Sequence, residues 1–239
     1  MSWISSKVIP VDERLIVALD VPDIPAAKAL VRQLGDSVVF YKIGLELFMS
    51  GDYFELIDWL NEHNKRIFVD LKFFDVPATV GRAVKQLANK KVDFVTIHGN
   101  NAIMQAAAEQ KGELKVLAVT VLTSLDRGDL DDLGFKCNVE ELVTSRAKRA
   151  IELGCDGVIS SGLEAPGLRD SLGRNFLIVS PGIRPVDNRP EDDQKRVVSV
   201  EQAFYNGADH IVVGRPIRDA ENPMQAALAI QATIGEVFK

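Results

Sequence analysis

Two aspartates and a lysine at D-x-K-x-x-D spacing, Asp70, Lys72 and Asp75, form the segment with the strongest chemical signal. The first two end a mostly apolar run, Arg66–Lys72, where charged side chains are rarely placed without a function. A lysine ammonium held between carboxylates stays charged and oriented. The segment therefore predicts a functional cluster of charges built around Lys72.

The alternation of side chains along this predicted strand decides where its charges point. Aliphatic residues occupy positions 67, 69 and 71 on one face, whereas Asp70 and Lys72 share the other face. The opposite register would place two charges beneath an apolar layer of helices, at a large desolvation cost. We therefore expect Asp70 and Lys72 to point into the interior enclosed by the sheet.

The ends of two earlier predicted strands add charges of the same parity, Asp20 and Lys42. Together with the first segment they predict three carboxylates and two ammonium groups alternating in one site. Each opposite pair at about 4 Å is worth about 4 kcal/mol at an effective dielectric constant near 20, before desolvation. Alone, Asp20 or Asp75 is better explained as a helix cap, and the lysines as solvated ion pairs.

The elements that must position these residues follow a regular pattern, in which short apolar, β-branched runs alternate with segments of helical periodicity. Eight such pairs predict a closed (β/α)8 TIM barrel as one domain over residues 1–239, with a doubly wound open sheet as the alternative. The predicted strands are Leu15–Asp20, Val38–Ile43, Arg66–Lys72, Phe94–His98, Lys115–Leu122, Gly157–Ser160, Leu177–Ser180 and His210–Gly214. Two loops at the functional end are unusually long, 123–137 and 183–198, and the second is predicted to be a lid.

A second candidate feature is a glycine–arginine pair, Gly214-Arg215, which follows the eighth predicted strand. The loops after strands seven and eight of such barrels commonly bind phosphate, and an arginine fork matches two phosphate oxygens. Arg184 and Gln194 lie on the predicted lid and are candidates for closing over the same anion. The alternative interpretation is an ordinary surface turn and an exposed, charged loop.

Composition limits the classes of partner. With 46% hydrophobic and 26% charged residues and a net charge of −6, the chain is predicted to be globular and to bind neither nucleic acid nor membrane. Its N-terminal segment lacks the apolar core of a secretory signal, so we expect a cytoplasmic protein. Histidines at 63, 98 and 210 and cysteines at 137 and 155 lack metal-ligand spacing, so no metal site is predicted, and His98 is expected to be structural.

Six motifs occur in order over residues 15–220: Leu19-Asp20, Lys42-Ile43-Gly44, Asp70-Leu71-Lys72-Phe73-Phe74-Asp75-Val76-Pro77, Pro181-Gly182-Ile183-Arg184, Asp193-Gln194 and Gly214-Arg215-Pro216. The ordered set closely resembles the orotidine 5′-phosphate decarboxylase family. The resemblance implies a (β/α)8 homodimer that needs no cofactor or metal. It also implies conversion of orotidine 5′-monophosphate to uridine 5′-monophosphate and carbon dioxide in de novo pyrimidine biosynthesis.

The resemblance also implies residue roles. Lys72 is the proton donor, Asp70 lies beside the departing carboxylate, and Asp75 enters the site of the partner subunit. The residues implied for substrate binding are Asp20 and Lys42 for the charge network and ribose, Thr79 for ribose from the partner subunit, Thr123 or its neighbour Ser124 for the pyrimidine, and Arg184, Gln194, Gly214 and Arg215 for the phosphate and lid. Phe74 and Ala78 replace the histidine and asparagine frequent in the family, which leaves the local dimer packing open.

Two alternative functions remain from the sequence. A related group of sugar-phosphate enzymes, the 3-keto-L-gulonate 6-phosphate decarboxylases and hexulose-phosphate synthases, shares D-x-K-x-x-D but requires magnesium. Lys42 and Gln194 favour the pyrimidine substrate over this group. The second alternative is a nucleotide-binding regulator that has lost catalysis, against which the intact set of charges argues.

Overall fold

Eight parallel strands close into a barrel in chain order, in a computed structural model that describes residues 2–184 and 197–239. The strands are β1 (Leu15–Ala18), β2 (Phe40–Gly44), β3 (Arg66–Phe73), β4 (Phe94–Ile97), β5 (Lys115–Val119), β6 (Gly157–Ile159), β7 (Leu177–Ser180) and β8 (His210–Val213). The barrel closes because β8 pairs with β1, with Leu15 opposite Ile211. The predicted (β/α)8 fold is therefore confirmed.

Helices follow the strands along the chain. They are α1 (Ile24–Leu34), α2 (Leu45–Met49), α3 (Tyr53–Glu62), α4 (Pro77–Ala88), α5 (Asn101–Gln110), α6 (Arg127–Asp132), α7 (Val139–Glu152), α8 (Ala165–Leu172), α9 (Val200–Tyr205), α10 (Arg215–Arg218) and α11 (Pro223–Val237). In α4, proline stands in the first turn and Val80, Val84 and Leu87 are buried at the helical spacing that the sequence predicts. None of the helices in the described ranges is both long and apolar enough to cross a membrane.

The two loops predicted to be long differ in outcome. Residues 123–137 are not a continuous loop, because Asp126 and Asp129 form a capping box that begins helix α6 there. Most of the predicted lid, residues 185–196 with Gln194, lies outside the described residues. Its two ends meet, since Ile183 and Val198 form a parallel β-bridge.

The apolar core forms two clusters, and their membership fixes the register of the strands. Ile67, Val69 and Leu71 belong to the cluster between the strands and the helices. Phe68 belongs to a smaller cluster inside the barrel, with Ile16, Ala18, Phe40, Phe94, Leu117, Leu177, Val179 and Val212. The face of β3 that carries Asp70 therefore points inward, as the cost of burying charges beneath helices predicts.

A buried polar network lies at the amino-terminal ends of the strands, opposite the functional end. Asp209 is fully buried and accepts hydrogen bonds from Arg169 (2.8 Å), Lys7 (3.1 Å) and the backbone of Ile178 (2.9 Å). The next residue, His210, lies inside the barrel, and its Nδ1 is 2.9 Å from the carbonyl oxygen of Glu13. Burial lowers the pKa of His210 from 6.5 to about 4.

This lowered pKa predicts a loss of stability in mild acid. As the pH falls from 6.5 towards 4, the unfolded chain takes up a proton at His210 that the folded chain does not. The free energy of unfolding should therefore fall by about 1.4 kcal/mol per pH unit across this window. His210→Asn keeps an amide donor near the Nδ1 position but cannot titrate. Urea unfolding of both proteins at several pH values measures the slope, and an unchanged slope in the variant would contradict the assignment.

Candidate active site

A cavity of about 450 Å³ opens at the carboxyl ends of the strands, the end at which (β/α)8 barrels carry their sites. Its floor is apolar and includes Ala18, Phe68, Ile159 and Val212. The other lining residues are Asp20, Lys42, Asp70, Lys72, Val119, Val121, Leu122, Thr123, Ser124, Pro181, Gly182, Arg184, Gly214, Arg215 and Arg218. Polar and charged side chains thus surround a mouth above an apolar base, as in a site that orients a small ligand.

Four charged side chains on one wall form an alternating chain, Asp20–Lys42–Asp70–Lys72. The Nζ of Lys42 lies 2.9 Å from Oδ1 of Asp20 and 3.6 Å from Oδ2 of Asp70. The Nζ of Lys72 lies 2.9 Å from Oδ1 of Asp70. Asp70 is therefore the centre of the cluster, whereas the sequence interpretation placed Lys72 there.

The pairing of β1, β2 and β3 brings these residues together. Ala18 of β1 is in register with Lys42 of β2, and Gly44 of β2 is in register with Asp70 of β3. A Cβ atom at Gly44 would stand 3.4 Å from the Nζ of Lys42, so the glycine leaves the amino group its space. Neighbouring strand ends therefore place opposite charges side by side.

Electrostatics keep the buried members of the chain ionised. Burial opposes the charge of Asp70, but Lys42 and Lys72 outweigh it and lower the pKa of the carboxyl. Burial likewise opposes the charge of Lys42, and the carboxylates of Asp70 and Asp20 outweigh it and raise the pKa of the amine. The cavity thus presents fixed charges of both signs at neutral pH.

The two lysines differ in their access to the cavity. The side chain of Lys42 is 12% exposed, and that of Lys72 is 34% exposed. Lys72 also has a left-handed backbone with φ of 47°, which is unusual for a residue other than glycine. Lys72 is therefore the ammonium that a bound molecule can reach. Lys42 is more deeply buried and pairs with the carboxylates of Asp20 and Asp70.

Arginines lie on the part of the mouth formed by the ends of β7 and β8, which adjoins the Asp20 end of the charged wall because β8 pairs with β1. Arg184 follows β7, while Arg215 and Arg218 belong to α10 after β8. The sequence analysis did not select Arg218, although its spacing of three from Arg215 places both on one side of a helix. Arg218 donates a hydrogen bond of 2.5 Å to the carbonyl oxygen of Asp20 and is paired with Asp219. This arginine thus connects the cationic rim to the charged wall.

The remaining predicted residues differ in whether they line the cavity. Thr123, which is buried, and Ser124, which is exposed, both line the cavity, so the choice between them stays open. Asp75 is exposed, and its Oδ1 accepts a hydrogen bond from the backbone of Val76 at 2.6 Å. Asp75 and Thr79 do not line the cavity of their own chain, so four of the five predicted charges meet there.

His98, expected to be structural, is not among the residues that line the cavity. Its backbone N–H donates to the carbonyl oxygen of Phe73 at 3.0 Å, and its ring packs edge-on against Phe74. Burial lowers the pKa of His98, with further lowering by Arg146 and Lys72. Within residues 2–184 and 197–239, no three side chains of histidine, cysteine, aspartate or glutamate gather as a metal site would require.

These features define a class of protein: a (β/α)8-barrel enzyme whose cavity, lined by a rim of arginines and a wall of alternating charges, suits an anionic ligand. An apolar floor suits a planar ring, and the arginines suit a phosphate. The reachable ammonium of Lys72 suits the stabilisation and protonation of an anion.

Comparison with known proteins identifies the family. The model of the Orotidine 5′-phosphate decarboxylase / HUMPS family matches residues 13–230. A relative from Methylococcus capsulatus named Orotidine 5′-phosphate decarboxylase is 67% identical over 237 residues, which are 99% of this chain and 98% of the relative. A protein of the same name from Stenotrophomonas maltophilia is 53% identical over 95% of each chain.

Solved structures agree with this assignment. The crystal structure of orotidine 5′-phosphate decarboxylase from Lactobacillus acidophilus has a TM-score of 0.83 at 35% identity, over 93% of this chain and 99% of that one. This chain therefore belongs to the orotidine 5′-phosphate decarboxylase family, and it is a carboxy-lyase. The resemblance drawn from the six motifs is confirmed.

The central position of Asp70 predicts that its charge stabilises the fold. Asp70→Asn leaves the ammonium groups of Lys42 and Lys72 without their shared carboxylate. We expect the variant to lose about 3 kcal/mol of stability, the lower end for a broken buried pair, because Lys42 retains Asp20. Asp36→Asn is the control, since Asp36 pairs with Lys65 on the surface and should matter by less than about 1 kcal/mol. Equal denaturation midpoints for the two variants would contradict this prediction.

Proposed function

We propose that this chain converts orotidine 5′-monophosphate to uridine 5′-monophosphate and carbon dioxide in de novo pyrimidine biosynthesis, with fixed charges as its catalytic device. The observation that carries the proposal is the alternating chain Asp20–Lys42–Asp70–Lys72 at the cavity wall, with Lys72 as its accessible end. Membership of the orotidine 5′-phosphate decarboxylase family supports the identity of the substrate. The positions of the charges support the mechanism.

The difficult species in this reaction is a carbanion. When the bond between the ring carbon and the carboxylate breaks, carbon dioxide leaves and the electron pair stays on the ring carbon. We assign its stabilisation to the ammonium of Lys72, which then donates a proton to that carbon and is reprotonated by solvent. An ammonium already fixed by Asp70 at 2.9 Å needs little reorganisation as the negative charge develops.

Asp70 has a second role in this proposal. It stays ionised because Lys42 and Lys72 lower its pKa, so a substrate carboxylate beside it meets a like charge. Departure of neutral carbon dioxide removes this repulsion, while the electron pair left behind moves towards Lys72. The same carboxylate therefore opposes the bound substrate and orients the proton donor.

The part of the mouth after β7 and β8 is assigned to the phosphate. Arg184, Gly214 and Arg215 would bind it, together with Gln194, which lies outside the described residues. Binding free energy from this remote group positions the pyrimidine against Lys72. Asp20 and Lys42 would bind ribose hydroxyls, and Thr123 or Ser124 the base.

We further propose a homodimer in which Asp75 and Thr79 reach the partner subunit's site. Two large apolar side chains flank Asp75 and are mostly exposed: Phe74 at 69% and Val76 at 63%. Exposed apolar residues grouped on one loop are typical of a surface that a partner covers. An Asp75 carried on such a loop would add a carboxylate near the ammonium of the other chain.

Two alternatives are weighed against this function. The matching family model includes sugar-phosphate enzymes of the HUMPS type, but the relatives at 67% and 53% identity carry the name of the pyrimidine enzyme. A regulator without catalysis would have no need for an ionised Asp70 between two lysines. Both alternatives make different predictions in one assay.

The proposed function predicts decarboxylation without a metal ion. Purified protein with a chelator and no added metal should remove the ultraviolet absorbance of orotidine 5′-monophosphate. Lys72→Ala should lower the rate by at least about 10³-fold, because proton donation and electrostatic stabilisation are lost together. Lys148→Ala, on the exposed face of α7, is the matched control and should keep the parent rate.

The other outcomes of this assay distinguish the two alternative functions and test the role of Lys72. Activity abolished by the chelator would favour the magnesium-dependent sugar-phosphate group. Tight binding of uridine 5′-monophosphate without loss of absorbance would favour a regulator. A Lys72→Ala variant at the parent rate would refute the role of Lys72.

The second prediction tests the shared site. Lys72→Ala and Asp75→Asn chains, carrying different tags, are co-expressed and the mixed dimer is purified by both tags. If Asp75 acts in the partner subunit's site, one of the two sites is intact, and about half of the parent activity should return. If Asp75 acts within its own chain, both sites carry a substitution and the mixed dimer stays inactive. A dimer of two differently tagged Lys72→Ala chains is the control.

A further inference from the structure

An irregularity in the sheet lies beside the proton donor. Val69 of β3 is in register with Val95 of β4, and Phe73 is in register with Ile97. Three residues of β3, from 70 to 72, therefore stand opposite one residue of β4, Thr96. A bulge of this kind leaves backbone groups without their partners in the ladder and turns the bulged strand.

Thr96 replaces the missing ladder contacts with its side chain. Its Oγ1 accepts a hydrogen bond of 2.9 Å from the backbone N–H of Lys72 and donates one of 2.8 Å to Oδ1 of Asp70. Both directions are fixed, because a backbone N–H only donates and an ionised carboxylate only accepts. Thr96 is fully buried, so water cannot replace either contact.

The two contacts join the two groups on which the chemistry depends. Lys72 is held in a left-handed backbone conformation, which persists only where the surroundings impose it. The same oxygen of Asp70 that accepts from Thr96 also accepts from the Nζ of Lys72. One hydroxyl thus fixes both the backbone of Lys72 and the carboxylate that orients its ammonium.

We infer that Thr96 is a positioning residue for the decarboxylation, which holds the bulge at Lys72 and sets the angle between its ammonium and Asp70. It is fully buried and does not line the cavity. The inference rests on the proposed function for its kinetic test, but not for its structural one. Thr120, which follows the adjacent strand β5, is a control that separates loss of kcat from loss of stability.

The kinetic test compares two substitutions at Thr96. Thr96→Val keeps the shape but removes both hydrogen bonds, and we expect kcat to fall about 10- to 100-fold, the range for a hydrogen bond to a charged group. The KM should change by less than about threefold, because the substrate contacts are kept. Thr96→Ser retains the hydroxyl and should stay within about threefold of the parent kcat.

A pH profile adds a readout that loose packing would not move. The hydrogen bond from Thr96 is one of the contributions that lower the pKa of Asp70, after those of Lys42 and Lys72. Removing it raises that pKa, so the acid limb of kcat should shift to higher pH in Thr96→Val. In Thr96→Ser the limb should stay in place.

Thr120 provides the matched control. It is also fully buried, it follows β5, and its Oγ1 donates to the carbonyl oxygen of Ile159 rather than to a charged group. Thr120→Val should lower the denaturation midpoint about as much as Thr96→Val and leave kcat unchanged. Equal losses of kcat at Thr96 and Thr120 would overturn the inference, as would a Thr96→Val enzyme with the parent kcat and pH profile.

A crystal structure of Thr96→Val decides the matter even if the parent chain shows no decarboxylation. We expect Lys72 to leave its φ of 47° and its Nζ to move away from Oδ1 of Asp70, from the present 2.9 Å. An unchanged bulge and an unchanged ion pair would overturn the inference. An inactive parent chain would count against the proposed function alone.

Discussion

A single buried carboxylate, Asp70, is the interaction on which the site depends. An isolated ion in such a place is strongly disfavoured, and Asp70 stays ionised because Lys42 and Lys72 stand on either side of it and Thr96 donates a hydrogen bond to it. Lys42 is in turn kept charged by Asp70 and Asp20. Each charge is thus a condition for the next, and the chain of four carries no net charge. Its effect on a ligand therefore comes from the positions of the charges.

The closed barrel brings these charged groups together at one mouth. Strands β1, β2 and β3 are neighbours, so their carboxyl ends bring Asp20, Lys42 and Asp70 within contact distance. Strands β7 and β8 complete the same mouth and bring Arg184 and Arg215 to it, beside the Asp20 end of the wall. An elongated anion that spans the mouth meets cations at one end and a mixed pair of charges at the other. Apolar side chains form the floor of the cavity.

Much of this arrangement could be predicted from the sequence, because burial costs decide it locally. The alternation of apolar and charged residues in β3 fixed which face points inward, and the core clusters agree. The strand ends were less predictable: β1 stops at Ala18 and β5 at Val119, both earlier than expected. Beyond these ends, Asp20, Val121 and Leu122 line the cavity. Local hydropathy does not distinguish a strand from an extended segment that continues it.

Thr96 and Arg218 were missed for a different physical reason. Each acts through contacts with residues far away in the chain, Thr96 with Asp70 and Arg218 with Asp20. The inward parity of β4, with Phe94 inside the barrel, was a usable signal for Thr96. No local pattern announces the bulge that makes the hydroxyl necessary, because a bulge is a property of two paired strands.

The bulge also affects how two charged residues that are two apart in sequence, Asp70 and Lys72, form one ion pair. In a regular strand, the Cα of Lys72 would lie about 6.6 Å beyond that of Asp70 along the strand, towards the open mouth. Here three residues of β3 stand opposite one residue of β4, so Lys72 lies less far along the sheet than a regular strand would carry it. The left-handed backbone of Lys72 is the local cost of the bulge, about 1 kcal/mol. The strain is therefore placed where it keeps an ammonium and a carboxylate in contact at the cavity wall.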